Sequence, residues 1–313
     1  MRVCLFGLGS IGRRHAKLLS QFDAIDLVAF RTGKGQQKNG SGVPEIFSWD
    51  EVKEFHPDIA VISNPTFLHI DTALLCAEMG MHLFIEKPID VSVRRLKELT
   101  RIVSDKDLLT YVAYVLRFHP AIKYIKDQLQ SHQVLNVSVR SSSYLPDWRP
   151  GFNYKEMFSV RKDQGGGVIL DLSHEFDYIQ YLFGSIETME GKFGQASNIT
   201  IDAEDYCDAI IRTENCPSIN LHLDYFSRYA ERYLKIDVAG GAFMVDLIKS
   251  TVEWHHDGRV DRKDFPFERD DIYREQLELF MDHVKQGRPM SNNLEEASVL
   301  FEKIIAFKER GSL

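Results

Sequence analysis

A glycine-rich turn near the start of the chain constrains its fold most strongly. Residues 2–6 form a short apolar run typical of a buried strand, and a helical pattern follows residue 12. The residues between them, G-L-G-S-I-G, have the spacing of a dinucleotide-binding turn. In such a turn Gly7 permits the tight bend, Gly9 lets backbone N–H groups approach a pyrophosphate, and Gly12 lets the helix pack closely. The pyrophosphate would lie at the positive end of the helix. A chance glycine turn is the alternative, which the position between strand and helix disfavours.

The composition is that of an ordinary globular protein. Of the 313 residues, 44% are hydrophobic and 27% are charged, which allows a sizeable core in one or two domains. The net charge of −8 argues against a nucleic-acid surface. Because no apolar run is long enough to span a bilayer and the chain begins with a strand pattern, we expect a cytoplasmic protein that contacts no membrane. The four cysteines lack C-x-x-C spacing and the histidines are scattered, so we expect reduced, buried cysteines and no metal site.

The end of the second predicted strand carries a cation. Residues 24–30 form this strand, and Arg31 and Thr32 follow it. A fold that binds NAD has an acidic residue near this position, which holds the ribose 2′-OH. A guanidinium and a hydroxyl suit a 2′-phosphate instead, so the sequence favours NADP(H) over NAD(H). The alternatives are a solvated basic loop and an arginine that stacks on the adenine ring. Residues 34–42 are polar and rich in glycine, which predicts a surface loop.

Strand and helix patterns alternate from the first residue to about residue 118. This alternation predicts an α/β fold with a doubly wound parallel sheet, in which ligands bind beyond the carboxyl ends of the strands. From residue 119, one helix pattern is followed by longer alternating strand patterns and then by two helix patterns at 271–286 and 293–310. We therefore predict a dinucleotide-binding domain of residues 1–118 and an α+β domain of residues 119–313 with a largely antiparallel sheet.

A charged turn follows the strand pattern of residues 81–85. Glu86-Lys87-Pro88 lies at the carboxyl end of that strand, where a nicotinamide would lie. An ammonium group there holds a substrate hydroxyl and lowers its effective pKa as the hydride leaves. Pro88 fixes the turn and is a candidate for a cis peptide bond. The alternative is that Lys87 is a surface lysine in a tight turn.

Three consecutive glycines, residues 165–167, precede a segment with two acids and a histidine. Asp171, His174 and Asp177 follow at steps of three, so on one helix they would share roughly one face. An imidazole, with an unperturbed pKa of about 6.5, is suited to take a proton from an alcohol, and an acidic neighbour would orient its ring. The glycines would free the start of the helix to bind an anion or to contact the other domain. The alternative is a histidine that pairs structurally with those carboxylates.

Together these motifs resemble those of the Gfo/Idh/MocA oxidoreductases. The resemblance covers essentially the whole chain and is carried by five motifs in order: G-L-G-S-I-G at 7–12, N-P-T-x-x-H at 64–69, E-K-P at 86–88, R-F-H-P at 117–120, and G-G-G-x-x-x-D-x-x-H-x-x-D at 165–177. It implies a Rossmann domain and a C-terminal domain whose open sheet forms oligomer contacts, so we expect a homodimer or homotetramer.

The resemblance also implies an activity, namely the NAD(P)-dependent oxidation or reduction of a sugar, cyclitol or nucleotide-linked sugar. It makes Lys87 a contact to nicotinamide and substrate, and His174 the proton carrier. Asp171 is the candidate second acid, although family members commonly place that acid four residues before the histidine rather than three; Asp177 is the other candidate. The residues expected to bind the cofactor are Gly7, Gly9, Ser10, Ile11, Gly12, Arg31, Thr32, Asn64, Pro65, His69, Glu86 and Lys87.

A loop rich in aromatic and basic residues precedes the three glycines. The segment of residues 143–161 resembles the corresponding segment of those family members that are found in bacterial surface-sugar pathways. An aromatic ring for stacking and several cations suit an acidic or phosphorylated ligand. A domain-linking loop, or one that contacts the cofactor phosphates of this or a neighbouring subunit, is an equal alternative. The residues expected to bind substrate are Tyr114, Arg117, Trp148, Arg149, Tyr154 and Lys162.

The sequence therefore favours hydride transfer between C4 of the nicotinamide and a secondary carbinol carbon of a sugar-like substrate. Two other classes stay open. Some members of the family hold NAD tightly and hydrolyse glycosides through a transient oxidation. Others have lost catalysis and act as cofactor-sensing regulators or binding partners, which the presence of Lys87 and His174 argues against.

Overall fold

The computed structural model describes residues 1–33 and 39–311, and in it the chain divides into two compact units. The first unit contains Met1–Tyr114 together with Arg269–Phe301, and the second contains Val115–Glu268 and the segment from Glu302 onward. One break between the units lies between residues 114 and 115, and the domain boundary expected at residues 118 and 119 stays a prediction. Helical residues expected in the second domain nevertheless pack with the first unit. Most of the expected surface loop at 34–42 lies outside the described residues.

The first unit is built on a parallel sheet, with six strands among the described residues. The strands are β1 (Arg2–Phe6), β2 (Asp26–Phe30), β3 (Glu45–Ile46), β4 (Ile59–Ile62), β5 (His82–Ile85) and β6 (Thr110–Val112). Their order is β3-β2-β1-β4-β5-β6, and every pairing is parallel. The central strand β4 is apolar and buried along its whole length, and β5 is so after His82, as expected for strands buried on both faces of a sheet. The predicted doubly wound sheet is therefore confirmed.

Helices of the first unit follow the strands, as the alternating pattern predicted. The helices that lie between these strands in sequence are α1 (Ser10–Leu19), α2 (Trp49–Phe55), α3 (His69–Glu78) and α4 (Leu96–Asp105). The entry to α2 shows why the sequence folds in this way locally. Ser48 accepts a hydrogen bond from the Glu51 N–H, and the Glu51 carboxylate accepts one from the Ser48 N–H, which is a complete capping box.

A segment from the end of the chain covers the β6 edge of this sheet. The backbone of Asn292 accepts a hydrogen bond from the Val112 N–H at 3.0 Å, and its side-chain amide donates to the Val112 carbonyl at 2.5 Å. Phe280, in the helix of Arg269–Gln286, packs against Phe84 and Tyr111 with ring centroids 5.6 and 6.4 Å apart. Covering an exposed strand edge and an apolar face stabilises the sheet, which explains why this distant segment belongs to the first unit.

The second unit contains a mostly antiparallel sheet, with eight strands in the part of the chain that the structure describes. After α5 (Pro120–Gln128) come β7 (Val134–Ser142), α6 (Val168–Asp171), α7 (His174–Phe183), β8 (Ile186–Gly194), β9 (Tyr206–Thr213), β10 (Cys216–Asp224), β11 (Glu231–Val238), β12 (Gly241–Asp246), β13 (Thr251–His256) and β14 (Arg259–Asp264). The chain ends with α8 (Arg269–Gln286) and α9 (Leu294–Arg310). The strand order is β14-β13-β12-β11-β7-β10-β9-β8, and the β7–β10 pair is parallel.

Burial alternates along the strands of this second sheet. Val137, Leu221 and Ile236 are buried, whereas their neighbours Ser138 and Asn220 are at least partly exposed. This alternation is what an antiparallel sheet with one covered face requires. Among residues 1–33 and 39–311, no helix combines the length and the apolar character needed to cross a membrane.

Candidate active site

The glycine turn after β1 has the geometry that its sequence predicts. Gly7 adopts a φ of +97°, in the left-handed region, and a Cβ on Gly12 would lie 2.0 Å from the Gly7 carbonyl oxygen. A side chain is therefore excluded at both positions. Gly9 is exposed, and a Cβ there would meet no atom of the described residues within 4 Å. The turn is closed toward the protein and open on its outer side.

The N-terminus of α1 is available to a ligand. The hydrogen bonds of the helix begin with Arg13, whose N–H donates to the Gly9 carbonyl at 3.0 Å, so the N–H groups of Ser10, Ile11 and Gly12 precede the ladder. Gly9, the N-cap residue, provides no side-chain cap, and the first turn contains no acidic residue. This end of the helix therefore carries uncompensated positive potential, which fits the diphosphate of a dinucleotide.

At the end of β2, the Arg31 guanidinium is paired with an acid that sequence reasoning missed. Arg31 Nη1 lies 2.6 Å from Glu45 Oε1, and both side chains are mostly buried. Glu45 lies on β3, the neighbour of β2, and the Arg31 N–H donates to the Ile46 carbonyl at 3.0 Å. Thr32 is exposed. The strand end therefore presents a cation whose charge is partly balanced by a carboxylate.

The loop after β4 is held by a buried histidine. His69 Nε2 lies 2.8 Å from the Asn64 carbonyl and Nδ1 lies 2.9 Å from the Pro88 carbonyl. Burial lowers the pKa of His69, and the two carbonyl contacts oppose that shift. Both ring nitrogens of His69 face the protein, so any effect of this residue on the expected cofactor passes through the loops that it joins. Pro65 is exposed, and the Asn64 side-chain oxygen is buried without a hydrogen-bond partner among the described residues.

The charged turn after β5 contains Lys87 at its centre. The Lys87–Pro88 peptide bond is cis, as expected, and the lysine is partly exposed. Glu86 is only 7% exposed, and its Oε1 lies 2.7 Å from Nε2 of His15 on α1. Sequence reasoning did not single out His15, because nothing local to either residue indicates a pairing across 71 positions. The turn that carries Lys87 is therefore anchored to the helix that follows the glycine turn.

In the second unit, the predicted single helix around His174 is wrong. The chain forms α6, turns at Leu172 and Ser173, and then begins α7 at His174. The turn is tightened by bonds between residues three apart: Ser173 N–H donates to the Leu170 carbonyl and Glu175 N–H to the Leu172 carbonyl. Asp171 and His174 therefore do not share the face of one helix.

Each of the two acids near His174 has a buried partner elsewhere. Asp171 Oδ2 accepts hydrogen bonds from Ser159 at 2.7 Å and from the Tyr225 hydroxyl at 2.9 Å. Burial and the Asp171 charge raise the pKa of Tyr225, which keeps this hydroxyl a donor. Asp177 receives the Arg117 guanidinium at 2.7–3.1 Å through both nitrogens of its fork. Which acid supports His174 stays a prediction.

Arg117 and Tyr114 were expected to bind substrate, and the structure gives each a different environment. The Arg117 side chain is 13% exposed, and its guanidinium pairs with Asp177 and also stacks over the Tyr181 ring at 5.1 Å. Burial raises the pKa of Asp177, and the Arg117 charge opposes that rise. Tyr114 is fully buried. Arg117 is thus engaged in a charge pair and Tyr114 is packed in the core, and their contact with substrate stays a prediction.

The start of α6 already has an anion, supplied by the chain itself. The Ile169 N–H donates to Glu204 Oε1 at 3.3 Å, and Lys308 Nζ lies 2.6 Å from the same oxygen. A Cβ on Gly167 would lie 2.4 Å from that oxygen, so the glycine is needed to admit the carboxylate. Glu204 therefore lies at the start of α6, where one of the two interpretations of the three glycines placed a bound anion.

In the loop between β7 and α6, the aromatic side chains of Trp148 and Tyr154 are hydrogen-bonded within the protein, whereas the basic side chains are exposed. Trp148 donates its indole N–H to Ser143 Oγ at 2.8 Å and lies edge-on to Tyr225. The Tyr154 hydroxyl accepts a hydrogen bond from the Thr200 N–H at 3.2 Å. Hydrogen bonding to the Thr200 side chain and to this N–H lowers the pKa of Tyr154. Four cations of this loop are exposed, and two of them, Arg149 and Lys162, were expected to contact substrate. Their predicted contact with substrate stays a prediction.

Both parts of the chain match sequence models of one protein family. Residues 1–114 match the model described as the oxidoreductase family with an NAD-binding Rossmann fold, of the Gfo/Idh/MocA group. Residues 123–244 match the model of the Gfo/Idh/MocA C-terminal domain. The two matches lie in the order that the sequence motifs predict.

Individual relatives agree with these matches. The chain is 24% identical over 309 residues to a myo-inositol 2-dehydrogenase of Thermotoga maritima, covering 92% of this chain and 90% of the relative. Its fold is similar to that of a UDP-N-acetylglucosamine 3-dehydrogenase from Acidithiobacillus ferrooxidans, with a TM-score of 0.81 at 19% identity over 99% and 97% of the two chains. A levoglucosan dehydrogenase in complex with NADH and levoglucosan gives a TM-score of 0.84 at 16% identity over 100% and 97%.

Proposed function

Because the chain belongs to the Gfo/Idh/MocA oxidoreductase family, with its NAD-binding Rossmann fold, we propose that it moves a hydride between NAD(P) and a secondary carbinol carbon of a sugar-like substrate. Lys87 is the proposed contact to the substrate oxygen, and His174 is the proposed carrier of its proton. The substrate class comes from the relatives, whose names refer to inositol, levoglucosan and UDP-N-acetylglucosamine.

One observation carries the proposal: the open end of α1 and the Lys87 turn leave the same edge of one sheet. Gly7 follows β1 and Glu86 follows β5, and β4 lies between these two parallel strands. Two strand spacings correspond to about 10 Å across the sheet. A cofactor whose diphosphate lies at the end of α1 therefore has the Lys87 turn within reach of its other end, at the edge where such sheets bind ligands.

The residues divide the chemistry between them. When bound, the nicotinamide supplies or accepts the hydride at its C4. The Lys87 ammonium stabilises negative charge on the substrate oxygen as the carbinol C–H bond breaks, which lowers the barrier electrostatically. His174 accepts the hydroxyl proton in oxidation and returns it in reduction, because an imidazole titrates near neutral pH.

We propose NADP(H) as the preferred cofactor. The support is Arg31, whose guanidinium is held at the carboxyl end of β2, where an NAD-binding fold has an acid for the ribose 2′-OH. A phosphate would share the guanidinium fork with Glu45, so the preference depends on the balance between these two residues. Association of copies into a homodimer or homotetramer through the second sheet, and a role in bacterial surface-sugar synthesis, stay predictions.

Replacing Lys87 by methionine tests the central assignment. Methionine keeps much of the aliphatic stem and removes the charge, so we expect NAD(P)H to bind normally while turnover falls by about 10²- to 10³-fold. Cofactor binding is measured by nicotinamide fluorescence. Turnover is measured by nicotinamide absorbance over a panel of inositols, anhydrosugars and nucleotide-linked sugars, with both cofactors.

The matched control is Lys53→Met, which removes an exposed lysine of α2 paired with Asp50. This control should behave as wild type. Normal turnover by the Lys87→Met variant would show that the lysine does not act on the substrate. Cleavage of a glycoside without net change in cofactor absorbance would replace the dehydrogenase proposal by the hydrolase alternative.

A further inference from the structure

A buried histidine outside the proposed chemistry lies between the cofactor helix and the Lys87 turn. His15 is in the second turn of α1, and its side chain has no exposed surface. Its ring lies against Phe84, with centroids 5.4 Å apart, and against Tyr273 at 6.2 Å. A polar ring in such a place needs a partner, since burying an unsatisfied polar group is costly.

That partner is the Glu86 carboxylate. His15 Nε2 lies 2.7 Å from Glu86 Oε1, which is a short contact between two buried side chains. His15 Nδ1 is buried and has no hydrogen-bond partner among the described residues. A proton on Nε2 lets the ring donate a hydrogen bond to the carboxylate, whereas a proton on Nδ1 would have no acceptor among the described residues.

The other oxygen of the same carboxylate faces the backbone of Lys87. Lys87 N–H donates to Glu86 Oε2 at 3.3 Å, so one carboxylate joins His15 to the residue proposed to act on the substrate. At the other end of the turn, His69 Nδ1 lies 2.9 Å from the Pro88 carbonyl. Two buried imidazoles, one from α1 and one from α3, thus contact the residues before and after Lys87.

We propose that His15 is a positioning residue for Lys87 and acts through Glu86. Helix α1, which begins at the glycine turn, then also holds the backbone from which the Lys87 ammonium extends. The same helix would therefore position both the cofactor diphosphate and the lysine. The inference rests on the proposed function, because it matters for turnover only where Lys87 contacts the substrate. Buried second-layer contacts of this kind set the geometry of reacting groups.

The test replaces His15 by leucine and by glutamine. His15→Leu removes the donor to Glu86, so kcat should fall by about 10- to 100-fold while the Kd of NAD(P)H and the KM of the substrate change little. His15→Gln offers an amide N–H to the same carboxylate and should recover most of the lost kcat. Leu99→Ala is the matched control: it destabilises the same unit from a buried site on α4 and should leave kcat unchanged.

A variant of Glu86, the partner of His15, tests the same proposal if His15→Leu does not fold. Glu86→Gln keeps the side-chain shape, and its amide oxygen still accepts from His15. Its amide N–H₂ then faces the Lys87 N–H, so donor meets donor and the bridge is broken at that point. We expect kcat to fall as in His15→Leu, and the double variant to be no worse than the more impaired single variant.

The outcomes separate this inference from the proposed function. If Lys87→Met is inactive while folded His15→Leu and Glu86→Gln turn over normally, the inference is overturned and the function of Lys87 stands. A parallel loss of cofactor affinity and kcat in His15→Leu, with no recovery by His15→Gln, would also overturn it. Normal turnover by Lys87→Met would reject the proposed function, and this inference with it.

Discussion

Replacing Arg117 by methionine should destabilise the second unit strongly, and more so at neutral than at acidic pH. The Asp177 side chain is 1% exposed and receives the Arg117 guanidinium through contacts of 2.7–3.1 Å. Removing the cation leaves a carboxylate buried without its charge partner. Breaking a buried pair in this way costs about 3–5 kcal/mol of the free energy of unfolding.

The pH dependence has a definite sign. Burial already raises the pKa of Asp177, and Arg117 opposes the rise, so the variant loses only the opposing effect and its pKa rises further. When the pKa of an acid is higher in the folded state than in the unfolded state, its contribution to the free energy of unfolding is most favourable at pH values below the unfolded-state pKa. That contribution is lost as the pH rises through the folded-state pKa. The difference in stability between Arg117→Met and wild type should therefore shrink as the solution is acidified from neutral pH.

Urea unfolding at neutral and mildly acidic pH measures this difference. Tryptophan fluorescence is a suitable signal, because two of the three tryptophans, Trp148 and Trp254, belong to the second unit. Arg117→Lys keeps the charge without the two-pronged contact and should show an intermediate loss. Arg101→Met removes an exposed partner of Asp105 on α4 and serves as the control without a resolvable change. A stable, pH-insensitive Arg117→Met variant with a raised KM would refute the reasoning and return Arg117 to the substrate site.

Two further perturbations test separate parts of the account. Arg31→Asp should lower the ratio of kcat/KM for NADPH over NADH by about tenfold or more, and Glu45→Gln should raise that ratio, because one removes a phosphate partner and the other removes a competing negative charge. An unchanged ratio in both variants would remove Arg31 from cofactor selection. Tyr225→Phe should lower the free energy of unfolding by about 1–3 kcal/mol, because it deletes a buried donor to Asp171, and a thermal melt showing no loss would contradict that role.

Features whose causes are local in sequence could be predicted. The turn at Gly7 and the packing of Gly12 follow from the absence of a side chain, and the strands of the first sheet follow from short apolar runs. Strands β13 and β14 have a weak signal in the sequence, because hydrophobic alternation is weak in β13 and the edge strand β14 is exposed along its whole length. The Asp257-Gly258 pair, with both φ values positive, carried the hairpin signal that could have indicated them.

Contacts between distant parts of the chain decided the rest. The break between α6 and α7 involves neither glycine nor proline, and it accompanies the anchoring of Asp171 by Tyr225, which lies 54 residues away. Likewise, nothing near Arg31 or Glu86 in sequence indicates that Glu45 and His15 are their partners. The sequence therefore indicated which residues follow the strands of the first sheet, but it did not determine which of their side-chain atoms are already hydrogen-bonded or ion-paired within the protein.

Transfer of deuterium tests the central claim most directly. A sugar substrate found in the panel is labelled with deuterium at its reacting carbinol carbon and incubated with enzyme and oxidised cofactor. We predict that the label appears on C4 of the reduced nicotinamide in a one-to-one ratio with the keto product, and that Lys87→Met forms both about 10²- to 10³-fold more slowly. Product formation with the label lost to solvent, or without any reduced cofactor, would contradict hydride transfer as the function of this protein.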